Sequence, residues 1–552
     1  MISTFLRLGT LVLAAGLTLV LLAACAEPPT QRVELTILAT ADVHGRVMSW
    51  DYLRDEPDEA HGLLKAASVI QRMRRERDHV LLLDAGDFLQ GNPFADYFAT
   101  LPAPVTQHPV LHVMDALDYD AIVLGNHEFN FGVPYINAQV DLTSTPVLAG
   151  NVYHHGTDTP AYTPYILREL GGVRVGVLGL TTPGSAVWDR HHVEGRLDFG
   201  DGITAAARFV PKLREAGADI VVLLLHTGLE SRAGQTGGPQ GRLENFGRAV
   251  IESVPGVDVA ILSHSHRVID DLVLEGPQGR QVAVVQPGRW ASHLGEVRLT
   301  LETTADAEGW QVQSLSSRAL PLAGLDAEPG LMQRVEGWHE EVRAWVAETI
   351  ATTPEAWDSR EARLRDTPMV DLIQRVQTQA GDAQLSASAA FTTRLAFGPG
   401  PITRADLAAL YPYENTLMVL EITGEQLRAY LEHAAGFYAG VEDGVPVVAE
   451  GWPGYNFDIV SGADYVIDLR RPLGDRITRL EVDGAVVRDE DLFTLAVNSY
   501  RAQGAGGYTM LAEARLVAEI PRSVRSLIEE YLAERGELRQ ADVYRQNWSL
   551  VY

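Results

Sequence analysis

The chain has 552 residues, more than one hydrophobic core usually supports, which predicts two or more domains. Its composition is that of an ordinary globular protein, with 46% hydrophobic and 21% charged residues. The formal net charge of −28 argues against binding a nucleic-acid polymer, because such binding needs many cations to neutralise phosphates. A small phosphate ester remains compatible with this charge, since a bound divalent cation can invert the local field.

Residues 1–25 predict a lipoprotein signal peptide. Arg7 precedes an apolar run over residues 8–22 that is too short for a comfortable membrane span. The run ends in Leu22-Ala23-Ala24-Cys25, which resembles the lipobox of bacterial lipoproteins, and Cys25 is the only cysteine in the sequence. We therefore expect an extracytoplasmic protein anchored to a bacterial membrane through lipidated Cys25. A plain signal peptide with a chance cysteine is the alternative.

Short apolar runs alternate with amphipathic segments over residues 33–320. This alternation of strands and helices predicts an α/β domain with much parallel pairing. Helices are predicted over residues 62–77 and 203–216. Strands are predicted over residues 33–38, 80–83, 121–124, 173–180, 220–225, 257–262 and 282–285.

Seven carboxylate, imidazole and amide side chains follow five of these strands. Ligand sites in open α/β sheets form beyond the carboxyl ends of the strands, so we expect these side chains to converge on one edge. One such residue carries little weight, but five successive strand ends are hard to attribute to chance. In chain order the residues are Asp42, His44, Asp87, Asn126, His226, His264 and His266.

This donor set indicates a site for two divalent metal ions. Carboxylates and imidazoles without thiolates suit ions of the Mn, Zn, Fe or Co type. Seven ligands exceed what one ion with an open position uses. Two ions about 3.5–4 Å apart that share a carboxylate account for them and can promote in-line displacement at phosphorus. Nearby glycines, among them Gly86, Gly91, Gly125 and Gly132, let the backbone turn tightly there.

The motifs around these residues resemble the five metal motifs of calcineurin-like metallophosphoesterases, in the same order and spacing. They are Asp42-Val43-His44, Gly86-Asp87-Phe88-Leu89-Gln90-Gly91, Gly125-Asn126-His127-Glu128-Phe129, His226 and Ser263-His264-Ser265-His266. The resemblance implies a four-layer α/β sandwich with one ion held by Asp42, His44, Asp87 and His266. It implies a second ion held by Asp87, Asn126, His226 and His264. His127 would face the substrate as a general acid or transition-state stabiliser.

A change of pattern near residue 326 predicts a helix that joins this domain to a second one. Apolar residues recur at helical spacing as far as Ile350, so we assign residues 326–357 to a linker helix. Trp338 and Trp345 in this helix need be no more than packing residues. Residues 358–552 mix helix and strand signals and predict an α+β substrate-binding domain.

Two aromatic motifs in glycine-rich loops distinguish the second domain: Tyr455-Asn456-Phe457-Asp458 and Asn498-Ser499-Tyr500-Arg501. Such rings can stack on a base, although most aromatic residues are core. Residues 366–508 resemble the C-terminal domain of the 5′-nucleotidase family, closest to its 2′,3′-cyclic-nucleotide phosphodiesterase/3′-nucleotidase branch. The resemblance implies that Tyr455 and Tyr500 sandwich the base. By charge and loop position, Arg394 and Arg501 are candidates for binding phosphate, with ordinary surface arginines as the alternative.

Two departures from the 5′-nucleotidase pattern bear on the substrate. Many members have an aspartate three residues after the motif histidine, where this chain has Asn130 after His127. An asparagine can orient the ring but supplies no charge. Members also carry an aspartate for ribose in the loop after the second aromatic residue, and residues 504–507 offer none. Both departures favour the cyclic-phosphodiesterase branch.

The sequence therefore predicts a monomeric hydrolase with two divalent metal ions. Its substrate would be a 2′,3′-cyclic nucleotide, opened to a 3′-nucleotide and then cleaved to nucleoside and phosphate. One alternative is a 5′-nucleotidase or UDP-sugar hydrolase on the same scaffold, and another is a sulfur-ester hydrolase. A non-catalytic nucleotide-binding lipoprotein is the alternative of another class, and the intact ligand set argues against it.

Overall fold

The computed structural model describes residues 31–101, 106–232, 234–235, 241–303 and 309–552. The predicted signal peptide and Cys25 lie outside the described residues. Among the helices of the described part of the chain, none is long and apolar enough to cross a membrane.

The first domain is built on two sheets, each of six strands within the described residues. All seven strands that the sequence predicts in this domain are present. In chain order the strands are β1 (Arg32–Thr40), β2 (Val80–Asp84), β3 (Ala121–Val123), β4 (Val147–Leu148), β5 (Tyr165–Leu170), β6 (Val173–Thr181), β7 (Ile220–His226), β8 (Val259–Ile261), β9 (Val268–Glu275), β10 (Gln281–Pro287), β11 (His293–Thr303) and β12 (Trp310–Pro321).

Both sheets have a parallel centre, with antiparallel strands at one edge of the first sheet and at both edges of the second. The first has the order β12-β11-β1-β2-β3-β4, in which β1 to β4 are parallel and Ile37 lies opposite Leu81. The second has the order β9-β10-β8-β7-β6-β5, with β6, β7, β8 and β10 parallel. Parallel neighbours end at the same edge of a sheet, so the residues that follow them are brought together.

The sheets pack face to face and helices cover their outer faces. Leu35 and Leu81 of the first sheet share a buried cluster with Val222 and Val259 of the second. The helices over the first sheet are α1 (Leu63–Glu76), α2 (Pro93–Thr100), α3 (Pro109–Ala116) and α4 (Val133–Leu142). Those over the second sheet are α5 (Gly202–Glu215) and α6 (Gly247–Ser253). This arrangement confirms the expected four-layer α/β sandwich.

The joining helix is shorter than predicted and belongs to the core of the first domain. It is α7 (Pro329–Val346), and it buries Leu331, Val335 and Val342 in the cluster beneath α1 to α3. Ile350, which the sequence places in this helix, lies on the strand Thr349–Thr353 that pairs with Gly400–Thr403. The strand is rich in β-branched residues, which favour extended backbone over helix.

The second domain is α+β, as expected. Its main strands are β13 (Leu385–Ala389), β14 (Thr416–Thr423), β15 (Asp458–Ser461), β16 (Ala463–Asp468), β17 (Ile477–Val482), β18 (Ala485–Val486), β19 (Leu492–Asn498), β20 (Arg515–Ser523) and β21 (Trp548–Val551). They form sheets of order β15-β13-β19-β14-β20 and β18-β17-β16-β21. Its helices are α8 (Pro368–Gly381), α9 (Arg404–Leu410), α10 (Gly424–Ala435) and α11 (Val524–Arg535).

Helices cover both faces of the five-stranded sheet of the second domain. Residues of α8 and α11 pack with Leu417 and Val419 of β14, whereas α10 packs with Leu420 and Ile422 of the same strand. Shorter strands form separate pairs: Trp50–Asp51 with Glu56–Pro57, Val152–His154 with Leu197–Phe199, Trp357–Asp358 with Ala396–Phe397, and Tyr438–Glu442 with Val445–Val448.

Candidate metal centre and substrate site

The first group of ligand candidates joins the loops after β1 and β8. His44 Nε2 lies 3.0 Å from His266 Nε2, and Asp42 Oδ1 lies 3.6 Å from the same His266 atom. His44 Nδ1 donates to the carbonyl of Gln90 at 2.7 Å, which leaves the lone pair of Nε2 facing His266. Asp42, His44 and His266 offer ligand atoms within 4.8 Å of one another, close enough to hold one ion.

The second group joins the loops after β2, β3, β7 and β8. His226 Nε2 lies 3.1 Å from Asp87 Oδ2 and 3.1 Å from Asn126 Oδ1. Asp87, His226 and His264 offer ligand atoms within 4.8 Å of one another. The same is true of His44, Asp87 and His127. The structure thus brings all seven predicted ligands together, and the two groups adjoin at Asp87.

Five of these seven residues have a left-handed backbone conformation, which is uncommon for residues other than glycine. The φ angle is 48° at Asp42, 46° at His44, 59° at Asp87, 67° at His264 and 57° at His266. Such conformations cost about 1–3 kcal/mol each and persist where the surrounding structure over-determines them. Their concentration at neighbouring strand ends is characteristic of a functional centre.

Two glycines leave the space that the ligand candidates occupy. A Cβ at Gly125 would collide with Asp87 Oδ1 and would lie 2.7 Å from His226 Cε1. A Cβ at Gly91, where φ is 124°, would lie 2.7 Å from His44 Nδ1. Any larger residue would therefore displace a ligand candidate at either position.

Burial and charge make the centre suited to cations. Burial, followed by the charge of Asp87, raises the pKa of Asp42 well above its usual range. Burial lowers the pKa of His44 to about 3 and that of His266 to about 2, so both imidazoles are neutral and have lone pairs to offer. Carboxylates, neutral imidazoles and an amide oxygen without thiolates fit divalent ions of the Mn, Zn, Fe or Co type.

Glu128 ties the loop after β2 to the loop after β3. Its buried carboxylate accepts hydrogen bonds of 2.7–3.0 Å from the backbone N–H groups of Asp87, Phe88, Leu89 and Gly125. Burial and then the charge of Asp87 raise the pKa of Glu128 to about 7, against the effect of these N–H groups. Glu128 is part of a recognised motif, but its role as an anchor is visible only in the fold.

His127 lies beside the ligand candidates and has its own hydrogen-bond partners. Its backbone N–H donates to Asp87 Oδ1 at 2.9 Å. Its Nδ1 lies 2.7 Å from Asn130 Oδ1 and therefore donates to that oxygen. Asn130 Nδ2 in turn donates to Asp189 Oδ1 at 2.7 Å. Burial raises the pKa of Asp189 to about 7, although the Asn130 hydrogen bond works to lower it.

Trp188 and Glu244 also reach the site, and no sequence motif marks either residue. The Trp188 ring stacks on His264 with centroids 5.6 Å apart and lies 6.4 Å from the ring of Tyr500 in the second domain. Glu244 Oε1 lies 3.0 Å from His264 Nε2. Burial lowers the pKa of His264, but the hydrogen bond and charge of Glu244 outweigh it and raise that pKa. Such carboxylate–imidazole pairs orient metal ligands.

Tyr455 and Tyr500 lie at the interface between the domains. Tyr455 is 40% exposed and Tyr500 is half-buried. Burial and then the charge of Tyr455 raise the pKa of Tyr500. The charge of Glu244, from the first domain, also raises the pKa of both tyrosines. Both rings are therefore close to the side of the centre formed by His264 and Glu244.

Arg501 has a different role from the expected binding of phosphate. Its guanidinium donates to both carboxylate oxygens of Asp458, at 2.8 and 2.9 Å. The other N–H groups donate to the carbonyls of Tyr455 and Ala505 and to the side chain of Asn456. All five donors of this buried side chain are thus used inside the protein. Arg501 therefore fixes the loop that carries Tyr455 and has no N–H group left for phosphate.

The other candidate for phosphate, Arg394, is exposed, and within the described residues no contact joins it to the ligand cluster or to either tyrosine. Arg289, in the loop after β10, does reach the centre. Its Nη1 lies 3.1 Å from His266 Nδ1, and its guanidinium lies 4.1 Å from the centroid of the Trp290 ring. The glycine before Arg289 and the aromatic residue after it are the signal that could have drawn attention to this residue.

Known proteins match the chain over both domains. Residues 35–268 match the family model of calcineurin-like phosphoesterases, and residues 348–513 match that of the 5′-nucleotidase C-terminal domain. The 2′,3′-cyclic-nucleotide 2′-phosphodiesterase/3′-nucleotidase of Haemophilus influenzae is 29% identical over 570 residues, which cover 92% of this chain and 85% of that protein. The protein of the same name from Salmonella typhimurium is 28% identical over 604 residues, covering 98% and 92%.

A solved structure supports the same assignment. It is that of a Staphylococcus aureus protein described as a candidate 5′-nucleotidase, with a TM-score of 0.80 and 27% sequence identity. The match covers 94% of this chain and all of that one. The clustered ligand candidates all lie within residues 35–268. The chain is therefore a metallophosphoesterase of the calcineurin-like family that carries a 5′-nucleotidase C-terminal domain.

Proposed function

We propose that this protein hydrolyses 2′,3′-cyclic nucleotides to 3′-nucleotides, and these to nucleoside and phosphate. The observation that carries the proposal is the contact of Trp188 with both His264 and Tyr500, because it brings an aromatic ring of the second domain beside the ligand cluster. The names of the Haemophilus and Salmonella relatives support this class of substrate. The alternative, a 5′-nucleotidase, is supported by the description of the Staphylococcus protein.

The metal centre is proposed to hold two divalent ions. Asp42, His44, Asp87 and His266 would hold one of them, and Asp87, Asn126, His226 and His264 the other. When bound, such ions polarise phosphoryl oxygens and make water a nucleophile near neutral pH. The buried carboxylates and neutral imidazoles support this proposal by their donor chemistry.

Protein side chains would bind and orient the substrate. Tyr455 and Tyr500 stack on the base, contributing about 1–3 kcal/mol per ring, and so place the ribose phosphate at the centre. The oxygen of water forms a bond to phosphorus and releases one proton to solvent, as the bond from phosphorus to a ribose oxygen breaks. The imidazolium form of His127, held through Nδ1–H by Asn130, gives its Nε2 proton to that leaving oxygen and is left neutral with the proton on Nδ1.

Arg289 is proposed to contact the phosphate, in place of Arg501. Its side chain is exposed at the centre and presents further N–H groups beside the one directed at His266. Arg289→Gln should raise KM for nucleotides about tenfold, the size of one lost charge-assisted hydrogen bond. Arg267→Gln, which changes a neighbouring exposed arginine paired with Glu230, is the control. Equal KM values for the two variants would leave exposed Arg394 as the candidate.

The proposal is tested by a hydrolysis panel of 2′,3′-cyclic, 3′- and 5′-nucleotides with added Mn²⁺. We expect the highest kcat/KM for 2′,3′-cyclic nucleotides and phosphate release from 3′-nucleotides. A marked preference for 5′-AMP would instead establish the 5′-nucleotidase alternative. Tight nucleotide binding without any turnover would support the non-catalytic alternative.

We also propose export and lipid anchoring through Cys25. The support is the sequence pattern over residues 22–25, since these residues lie outside those described. Growth of an expressing bacterium on a labelled fatty acid should label the mature protein. Cys25→Ala should remove the label and release the protein from the membrane fraction, whereas retention of the label would contradict the proposal.

A further inference from the structure

A chain of three hydrogen-bonded side chains leads from His127 into the protein interior. His127 Nδ1 and Asn130 Oδ1 are 2.7 Å apart, as are Asn130 Nδ2 and Asp189 Oδ1. Asp189 is 3% exposed, and its Oδ2 has no hydrogen-bond partner within the described residues. The carboxyl group therefore directs its one hydrogen bond at Asn130.

The orientation of the Asn130 amide decides the protonation pattern of His127. With its oxygen toward the ring, the amide accepts a hydrogen bond from Nδ1–H, and Nε2 is left to face the substrate. With its nitrogen toward the ring, it would donate and require a lone pair on Nδ1. An asparagine alone has no preference between these two orientations, so a third group must select one.

Ionised Asp189 can pair only with the nitrogen of the amide. A carboxylate has no proton to donate, so its Oδ1 can only accept from Asn130 Nδ2, as observed at 2.7 Å. The amide oxygen of Asn130 must then face His127. This selection needs a group at position 189 that accepts a hydrogen bond and does not donate one.

Backbone hydrogen bonds fix the position of Asp189 beside Asn130. Asp189 lies between two short helices, Ser185–Trp188 and Arg190–Val193. Its N–H donates to Ser185 O at 3.1 Å, and its carbonyl accepts from His192 N–H and Val193 N–H at 2.8 and 3.1 Å. These hydrogen bonds hold the main chain of Asp189 on both sides, so the side chain faces Asn130 in a fixed backbone conformation.

We propose that Asp189 is a positioning residue for phosphoester hydrolysis: it orients the Asn130 amide, which fixes the tautomer and the ring plane of His127. The inference rests on the proposed function, because His127 is assigned its role there. Within the described residues, no hydrogen bond or ion pair joins Asp189 to a metal-ligand candidate.

The activity test compares substitutions that keep or remove the acceptor. Asp189→Leu should lower kcat about tenfold to a hundredfold, the usual cost of losing a partner that orients a functional histidine, with little change in KM. Asp189→Asn should lose less of kcat than Asp189→Leu, since its amide oxygen can still accept from Asn130, while its amide nitrogen can also donate and favour the other orientation. Ser185→Ala, a buried change in the same segment, is the control and should match the wild type. Thermal unfolding checks that each variant is folded.

A double-mutant cycle shows whether Asp189 acts through Asn130. In the Asn130→Leu background, adding Asp189→Leu should cause no further loss of kcat, because the link between the two residues is already broken. Additive losses, a loss in Asp189→Asn as large as that in Asp189→Leu, or an unchanged kcat in folded Asp189→Leu would each overturn the proposal.

A crystallographic arm is independent of turnover. The separation of His127 Nδ1 and Asn130 Oδ1 should stay near its present value in Asp189→Asn and should be lost in Asp189→Leu. An intact pair in Asp189→Leu would overturn the proposal.

Activity is measured with an aryl phosphodiester as well as a 2′,3′-cyclic nucleotide. A wild type that cleaves only the aryl ester would refute the proposed substrate, and the test of Asp189 would remain valid with that ester.

Discussion

Arg501 and Asp458 form a two-point ion pair in which each side chain is only 3% exposed. Removing one member of such a buried pair costs about 3–5 kcal/mol, because the other charge is left without a partner. We therefore expect Arg501→Met to lower the melting temperature of the second domain markedly in calorimetry. Arg515→Met, which breaks an exposed pair with Glu421, should cost less than about 1 kcal/mol. Similar losses in the two variants would contradict this assignment.

Removal of the metal ions should abolish activity. A chelator should inactivate the enzyme, and Mn²⁺ or another divalent transition metal should restore it. Asp87→Asn should reduce kcat/KM more than about a hundredfold, beyond the usual cost of losing an outer partner of a metal site, and should lower the bound metal measured by mass spectrometry. Asp118→Asn is a matched control, because Asp118 is exposed and has a similar positive φ of 52°. Full activity of chelator-treated Asp87→Asn would refute the metal centre.

The aromatic pair should act on the nucleoside and not on the phosphorus chemistry. Tyr455→Ala and Tyr500→Ala should each reduce kcat/KM for nucleotides about tenfold or more, consistent with the loss of one stacking contact. Turnover of a simple aryl phosphate should change little. Tyr544→Ala, at an exposed position outside the site, is the control. Equal losses with both classes of substrate would mean that the two tyrosines are only structural.

Asn130→Asp should change the pH dependence of catalysis. The new carboxylate would accept from His127 and favour its cationic form, so the basic limb of the pH–rate profile should move up by about one unit. It would also meet Asp189 at the present 2.7 Å contact, where two carboxylates must share a proton. Asn130→Asp combined with Asp189→Asn removes that conflict and should give the larger shift. An unchanged profile in both variants would contradict this electrostatic account.

The stability of the second domain should depend on pH through the titration of Asp371. Burial and then the charge of Asp366 raise the pKa of Asp371 to about 8, compared with about 3.9 in an unfolded chain. The folded form therefore binds this proton more tightly, and the resulting stability, full below about pH 4, is lost as the pH rises to about 8.

Asp371→Asn should remove this dependence while keeping an acceptor for the N–H of Arg545. At pH 8 the variant should be more stable than the wild type by about 1 kcal/mol or more, since one pKa unit corresponds to about 1.4 kcal/mol. Near pH 4 the two proteins should melt at similar temperatures. Asp443→Asn, in an exposed turn, should have no effect at either pH. The same difference at both pH values would rule out titration of Asp371.

The sequence alone was sufficient to identify the ligand cluster and the strands that carry it. Asp42, Asp87 and His226 each lie at or just beyond the end of a parallel strand, so a local pattern already implies their meeting at one edge. The edge strand β12 was not predicted, because much of it is exposed and its apolar run is weak. The end of α7 was misplaced because Ile350 happens to continue the helical spacing beyond the true helix.

The roles of Asp189, Glu128 and Arg501 were decided only by the tertiary structure. Asp189 meets Asn130 across 59 residues, Glu128 binds the N–H of Asp87 across 41, and Arg501 pairs with Asp458 across 43. A local pattern identifies a charged residue but contains neither its burial nor its partner. The sequence around a loop arginine is the same whether the side chain faces solvent or a buried carboxylate. The folded chain removes Arg501 and Asp458 from water, and this burial determines the role of Arg501.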